Sequence, residues 1–426
     1  MLHSREVWSF FSGGMGLDLG FERAGLAPTL AVEIEKHCCA TIRRNRPDTC
    51  LIEGSVTGLD EHLLRKTRKY QGEVFLMIGG PPCQSFSSGG NRAALSDPRG
   101  NLIYEYMRLV SQVRPRFFLL ENVANLVTAA VKHRKIADRP GKHWNLKAYG
   151  EGKFDHVESD VKPLDDDELS GTAVRQILKD FDSLGYRVTL GVLNAADFGA
   201  PQNRLRFVML GSRDNLALPL PTVTHGSSLG LAPFRTVRDA ISDLATHPGI
   251  HSSYTDQVAT YFNHIPAGGN WRDLPEHLKR EAMGASLDAG GGKTGFYRRL
   301  AWDAPAPTIT GKANRKATAI CHPEFTRPLS VKECARLQGF PDDWHFVGSM
   351  APQYLQIGNA VPVHLGVACA GVFKEAAAMK TQTNSVNWAF DVDKMLEDAV
   401  KRLRASARNK VSAKGRRLPL FNEDAA

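Results

Sequence analysis

Val74-Phe75-Leu76-Met77-Ile78-Gly79-Gly80-Pro81-Pro82-Cys83-Gln84-Ser85-Phe86-Ser87 is the stretch on which the reading of this chain turns. Five apolar residues in succession, running into two glycines, mark a short strand buried on both faces of a parallel sheet. Gly79 and Gly80 permit a tight turn. Pro81 and Pro82 fix φ, remove two N–H donors and exclude helix from the residues before them. Cys83 is then held on a stiff loop at the carboxyl edge of the sheet, where open α/β folds bind ligands and do chemistry. A lone cysteine is more often a small buried hydrophobe than a nucleophile, so its meaning depends on what else reaches that edge.

Working outward, Phe117-Phe118-Leu119-Leu120 is a second apolar run, and it delivers Glu121-Asn122-Val123 to the same edge 38 residues after Cys83. That interval holds one crossover helix, with Ile103, Met107, Val110 and Val113 on its buried face. Upstream, Glu6 to Phe11 reads as a strand and Ser12-Gly13-Gly14-Met15-Gly16 as a loop. An amphipathic helix follows through Leu17, Phe21 and Ala24, with Gly25 as its C′ residue. Leu30-Ala31-Val32-Glu33 is a strand ending in an acid 20 residues after Gly13, the spacing at which a carboxylate accepts hydrogen bonds from ribose hydroxyls. Residues 36–46 read as helix and Cys50-Leu51-Ile52 as strand. The succession predicts an α/β fold with a doubly wound, mainly parallel sheet.

Downstream, Val174, Ile177, Leu178, Phe181 and Leu184 mark one face of a helix closed by Gly185, and Tyr186 to Val192 is strand-like. Gln202-Asn203-Arg204-Leu205-Arg206 then leads into Phe207-Val208-Met209-Leu210, with two arginines spaced to share a face. Residues 124–165 are poor in pattern, basic around Lys132 to Lys135 and aromatic at Trp144, Tyr149 and Phe154; they read as an inserted, solvated loop. From about 213 to 300 patterning thins, and Gly268-Gly269-Asn270-Trp271-Arg272 and Gly290-Gly291-Gly292-Lys293 read as flexible loops with donors and an aromatic. Ser330 and Glu333 form a capping box opening a helix that ends at Gly339. A helix follows Gln356-Ile357-Gly358-Asn359-Ala360-Val361-Pro362 to about Met379, and Val392, Met395, Leu396, Ala399, Val400 and Leu403 lie on one face of a helix in the tail.

At 426 residues, 42% hydrophobic and 23% charged, the composition is that of a globular protein with two or three domains. No apolar run is expected to approach the ~20 residues that span a bilayer, and no signal peptide is expected. Seven cysteines without Cys-x-x-Cys pairs argue against a disulfide framework or a zinc site. The net charge of +9 suits a polyanionic partner, and a solvated basic surface fits it as well.

Taken in order, the loop Phe11-Ser12-Gly13-Gly14-Met15-Gly16, the Pro-Pro-Cys loop, Glu121-Asn122-Val123, Gln202-x-Arg204-x-Arg206 and Gln356 to Pro362 resemble the motifs of the DNA cytosine-5 methyltransferases. The resemblance covers most of residues 5–375. It implies a sheet flanked by helices, with a smaller, irregular target-recognition domain across a DNA-wide cleft. Domains are then expected at 1–212 for catalysis and cofactor, with the 124–165 insertion, and at 213–345 for target recognition. Residues 346–379 return to the catalytic domain, and 380–426 form a basic helix and tail. The resemblance further implies Cys83 as nucleophile at C6 of a flipped cytosine and Glu121 as holder of a proton at N3. Arg206 would orient the base oxygen and Glu121, and Arg204 the loop or a phosphate. S-adenosylmethionine would be held by Phe11, Gly13, Gly16, Glu33, Ser55, Pro82, Leu102, Asn359 and Val361.

Two positions depart from the family's pattern. Met15 stands where glycine is usual, so either its φ stays negative or the loop is displaced; Ser55 stands where an aspartate contacts the adenine amine. A compact chain starting near its first motif is expected to be a prokaryotic restriction–modification methyltransferase. It would be a monomer in the cytoplasm at the nucleoid, acting on double-stranded DNA without membrane or metal, with a cognate restriction endonuclease as genetic partner. Rival readings are a cytosine-5 methyltransferase of transfer RNA, a catalytically silent DNA-binding homologue, and a nicotinamide-dependent oxidoreductase. The last gives no reason for Pro-Pro-Cys or Gln-x-Arg-x-Arg.

Overall fold

The computed structural model describes residues 5–82, 102–132, 164–287, 295–312, 315, 317–378 and 392–409. Strand β1 (Val7–Phe10), helix α1 (Gly16–Arg23), β2 (Leu30–Glu33), α2 (Lys36–Asn45), β3 (Cys50–Glu53), α3 (Glu61–Arg68), β4 (Leu76–Gly79), α4 (Leu102–Val113) and β5 (Phe117–Val123) follow in sequence. Next come α5 (Thr172–Ser183), β6 (Arg187–Asn194), β7 (Gln202–Asn203) and β8 (Leu205–Ser212). One seven-stranded sheet results, in the order β3-β2-β1-β4-β5-β8-β6. β8 runs antiparallel to both of its neighbours, and the remaining pairs are parallel. Parallel strands need covering helices on both faces, and the apolar runs supply side chains to both. Trp8, Phe10, Met77, Phe118 and Leu120 pack against α4 and α5 on one face. On the other, Val7, Ile78, Phe117 and Leu119 pack against α1 and a later helix, α11 (Val363–Ala378).

After Ser212 the elements shorten: α6 (Val237–Ile241), α7 (Asp256–Asn263), α8 (Glu276–Met283), β9 (Arg298–Arg299), β10 (Ala306–Pro307), β11 (Ile320–Cys321), α9 (Val331–Leu337) and α10 (Met350–Asn359). Tyr261, Phe262, Trp271, Met283 and Tyr297 form a satellite core here. Trp271 is therefore packed rather than displayed on a flexible loop, which corrects the expectation for that segment; Gly290 to Lys293 lie outside the described residues. β10 pairs with β7, which brings residues 306–309 beside Gln202 and Asn203.

Contrary to the expectation from sequence, the run Met350–Ala378 is, among the described residues, long and apolar enough by composition to cross a membrane. Ala360-Val361-Pro362 breaks it into α10 and α11, and 67% of its most apolar window is buried inside the molecule, so it serves as core. Helix α12 (Val392–Asn409) packs its predicted apolar face on β6. The 124–165 insertion and Cys83 fall mostly or wholly outside the described residues.

Candidate active site

β4 and β5 lie side by side, with Gly79 opposite Leu120, so the residues after both strands emerge at one edge. Glu121 is buried there. Its Oε1 lies 2.6 Å from Arg206 Nε, the two side chains being only 9% and 12% exposed. The sheet register sets this contact, because β5 and β8 are antiparallel with Val123 opposite Arg206. A Cβ on Gly80 would sit 3.0 Å from Glu121 Oε2. The second carboxylate oxygen therefore faces the backbone that leads to Pro81, Pro82 and Cys83. Asn122 fixes that backbone, its Nδ2 donating to Pro81 O at 3.0 Å while its Oδ1 accepts from Val123 N at 2.8 Å. Pro82 is exposed, and Cys83 itself lies outside the described residues.

Burial pushes the Glu121 carboxyl above its ordinary value, with the Arg206 and Arg204 charges opposing, and burial lowers the Arg206 guanidinium. Arg204 takes different partners. Its terminal nitrogens donate to Ile309 O and Gly358 O, both at 2.7 Å, and so tie the start of β8 to the segment after β10 and to α10. Gln202 acts alongside, with Nε2 donating to Leu337 O and Gln338 Oε1 while its Oε1 accepts from Ile309 N.

A second group of residues lies at the ends of β1 and β2. Glu33 Oε2 accepts from Gly13 N at 2.7 Å, and Oε1 accepts from Ile34 N and Glu35 N at 2.9 and 2.8 Å. A carboxylate has about four acceptor positions, so three amides leave capacity for one further donor. Phe11, Gly13 and Met15 have φ of +57°, +54° and +65°. Of the two alternatives for Met15, negative φ is excluded: the residue adopts a left-handed backbone, the conformation that glycine takes most readily. Its side chain, 2% exposed, packs with Leu19, Ala31 and Ile42, contacts that hold the residue in a conformation costing roughly 1–2 kcal/mol.

The remaining predicted residues lie on other segments. Ser55 is exposed, its Oγ 2.8 Å from Thr57 Oγ1. Leu102 is half-buried at the start of α4, Asn359 is exposed and Val361 is buried where the chain passes from α10 to α11. A Cβ on Gly16 would run into Val361 O, which shows how closely α1 meets that crossing.

The sequence model of the C-5 cytosine-specific DNA methylase family matches residues 6–138 and 161–375. The chain belongs to that family. The methylase is 35% identical over 370 residues to Type II methyltransferase M.Eco47II of Escherichia coli, covering 85% of this chain and 77% of the relative. It is 31% identical to Type II methyltransferase M.NgoPII of Neisseria gonorrhoeae, covering 87% of this chain and 95% of that one. Among solved structures, a putative DNA modification methyltransferase encoded within an E. coli prophage matches with a TM-score of 0.56 at 24% identity, covering 88% of this chain and 100% of that chain; this likeness concerns the fold.

Two residues of the methylase escaped sequence reasoning. Ile34, directly after Glu33, is 63% exposed, an apolar side chain in solvent at the edge where β2 ends. The signal was available: a β-branched residue between two acids. Asp18, in the first turn of α1, is 1% exposed with Oδ1 unpaired, and its interactions run to Ser9 and Glu33. Only an acid interrupting the apolar first turn hints at it. A carboxylate with spare capacity, an exposed apolar side chain and an exposed hydroxyl fit the sugar, base face and base edge of a nucleoside cofactor.

Proposed function

We propose that this methylase transfers a methyl group to C5 of a flipped-out cytosine in a specific duplex DNA sequence, with Cys83, Glu121 and Arg206 in contact with the base. The observation that carries this assignment is the buried Glu121–Arg206 pair, whose second carboxylate oxygen faces the backbone leading to Cys83. Cytosine C5 is a weak nucleophile until C6 is substituted. The Cys83 thiolate adds to C6, and Glu121 supplies the proton that N3 takes up, which leaves C5 as a neutral enamine carbon. With Oε1 engaged by Arg206, Oε2 is the oxygen that carries the proton, and its raised pKa favours the protonated form. S-adenosylmethionine, when bound, supplies the methyl group as a sulfonium-activated electrophile. Water then takes the C5 proton, the C5–H electron pair forms the C5=C6 bond and expels Cys83 as thiolate, and N3 returns its proton to Glu121, which restores aromaticity. Arg206 orients Glu121, and Arg204 positions the strand that carries Arg206.

For the cofactor, Glu33 accepts from a ribose hydroxyl, Ile34 covers the adenine face and Ser55 meets its edge. Phe11, Gly13, Gly16, Pro82, Leu102, Asn359 and Val361 complete the enclosure. Base extrusion costs roughly a few kcal/mol and requires a cleft. We assign its far wall, and the reading of the target sequence, to residues 213–345, where the sheet has ended and short elements hold their own core. The setting is the bacterial cytoplasm, where DNA lies, with an endonuclease of matching specificity as genetic partner. One chain carries both groups of site residues, which suits a monomer.

Cys83→Ser is expected to abolish methyl incorporation into duplex DNA and covalent capture by a 5-fluorocytosine duplex. Glu121→Gln is expected to lower kcat by about 100-fold or more. Bisulfite sequencing of DNA from expressing cells yields the target site in the same work. Undiminished 5-methylcytosine in the Cys83→Ser strain, or methylation of transfer RNA in place of DNA, overturns the assignment.

A further inference from the structure

Helix α12 lies beyond residue 375, where the family match ends, yet it is seated against the back of the active site. Leu396 and Ala399 are 6% and 3% exposed and share a cluster with Leu190 and Val192 of β6 and with Leu126 and Val127. The last two belong to the 3-10 turn Ala124–Thr128, which begins three residues after Glu121. Further along, Arg402 forms an ion pair with Asp197. Asp197 sits in the turn Ala195–Phe198, whose first residue donates its N–H to Arg204 O at 3.0 Å, while Asn194 Oδ1 just before it accepts from Arg204 N at 2.9 Å. Arg175 pairs with Asp393 and secures the start of the helix.

One helix therefore touches two turns. One follows the strand that carries Glu121, and the other is bonded to the residue two before Arg206. We propose that α12 is a brace that sets the Glu121–Arg206 geometry, with Arg402 acting as a positioning residue through Asp197. The inference rests on the assignment of Glu121 and Arg206 made above. Asp197 is mostly buried, and burial pushes its carboxyl up while Arg402 pulls it down. Without that partner the carboxylate is left desolvated, and its turn relaxes toward water or toward a protonated carboxyl. A general acid displaced by about 1 Å loses up to roughly 100-fold in rate, so a partial shift of this kind is read in kcat. Lys401, by contrast, pairs with Glu397 and Asp398 on its own helix and is no part of the brace.

The test uses the full-length methylase carrying Arg402→Ala, Arg402→Lys, Asp197→Asn or the Asp197→Asn/Arg402→Ala pair. It measures kcat, KM for duplex DNA and for S-adenosylmethionine, and the pH profile of kcat. Arg402→Ala is expected to lower kcat by about tenfold with both KM values within about twofold, and to move the alkaline limb of the profile that reports Glu121. Arg402→Lys is expected to restore most of the rate, and the double variant to be no worse than Arg402→Ala. An unchanged kcat, or a lower melting temperature without a change in kcat or pH profile, overturns the brace. So does a rise in KM for DNA that Asp197→Asn does not share, which marks Arg402 as a phosphate contact. Should Arg402→Ala melt below the assay temperature, Arg402→Gln is read by the same criteria. Glu121→Gln separates the two layers: if it is inactive while Arg402→Ala is normal, only the brace fails, and if it is active the catalytic assignment fails first.

Discussion

Burial pushes the Asp18 carboxyl up to about 7, with its Ser9 hydrogen bond opposing and the Glu33 and Glu22 charges adding to the rise. The folded protein thus keeps a proton that the unfolded chain releases near pH 4, so folding takes up a proton between those values. Stability contributed by the neutral carboxyl is complete below pH 4, falls as pH rises toward 7, and is gone above it. Asp18→Asn removes the titration while keeping the shape. Urea unfolding at pH 5 and pH 8 is expected to show the variant gaining roughly 2–3 kcal/mol relative to the parent across that interval. A stability difference that stays constant between the two pH values refutes a buried carboxyl that holds its proton to about pH 7. Asp18 was illegible in sequence and the conformation of Met15 was left undecided, both for one reason. Their environments come from Ser9, Glu33, Ala31 and Ile42, residues that periodicity along α1 does not register. The Glu121–Arg206 contact was legible as two motifs, but their 2.6 Å meeting depends on β8 inserting antiparallel between β5 and β6, for which an apolar run carries no signature.

Elements were more readable than their arrangement. Apolar runs ending in glycine or proline became strands. The Ser330–Glu333 capping box is present, Glu333 N donating to Ser330 Oγ at 3.0 Å, and Gly25 and Gly185 close their helices at positive φ. The two-residue strands β7, β9, β10 and β11 are too short to show alternation. Helix packing was silent too: α1 and α11 approach so closely that a Cβ on Gly20 would lie 2.5 Å from Val363 O and 2.6 Å from Gly366 Cα. Alanine is the better helix former by about 1 kcal/mol, but those contacts are backbone, which cannot rotate away. Overpacking at about 1–3 kcal/mol therefore wins, and Gly20→Ala is expected to lower the melting temperature. Because α1 also carries the Phe11–Gly16 loop at its start, separating the helices should weaken S-adenosylmethionine binding in a calorimetric titration. A variant as stable and as tight-binding as the parent contradicts the contact.

At the scale of the whole molecule the question is where DNA is gripped, because the net charge of +9 is unevenly placed. Residues 379–426 hold ten Lys or Arg and six Asp or Glu, so +4 of the total lies in the tail and +5 in residues 1–378. The tail's share divides further. Within α12, Arg402 is committed to Asp197 and Lys401 to its own helix, whereas residues 410–426 contribute four cations and two anions. If the duplex lies in the cleft over the Glu121–Arg206 edge, most phosphate contacts come from the body of the chain. Removing residues 410–426 should then leave kcat intact and flatten the plot of log affinity against log salt by no more than about two, at roughly 0.9 per phosphate contact. Fluorescence anisotropy with a duplex between about 50 and 200 mM salt reads that slope. A loss of about four, the full cation count of the deleted segment, would relocate the main electrostatic grip to the tail, and the cleft would then be holding the extruded base while the tail holds the helix it came from.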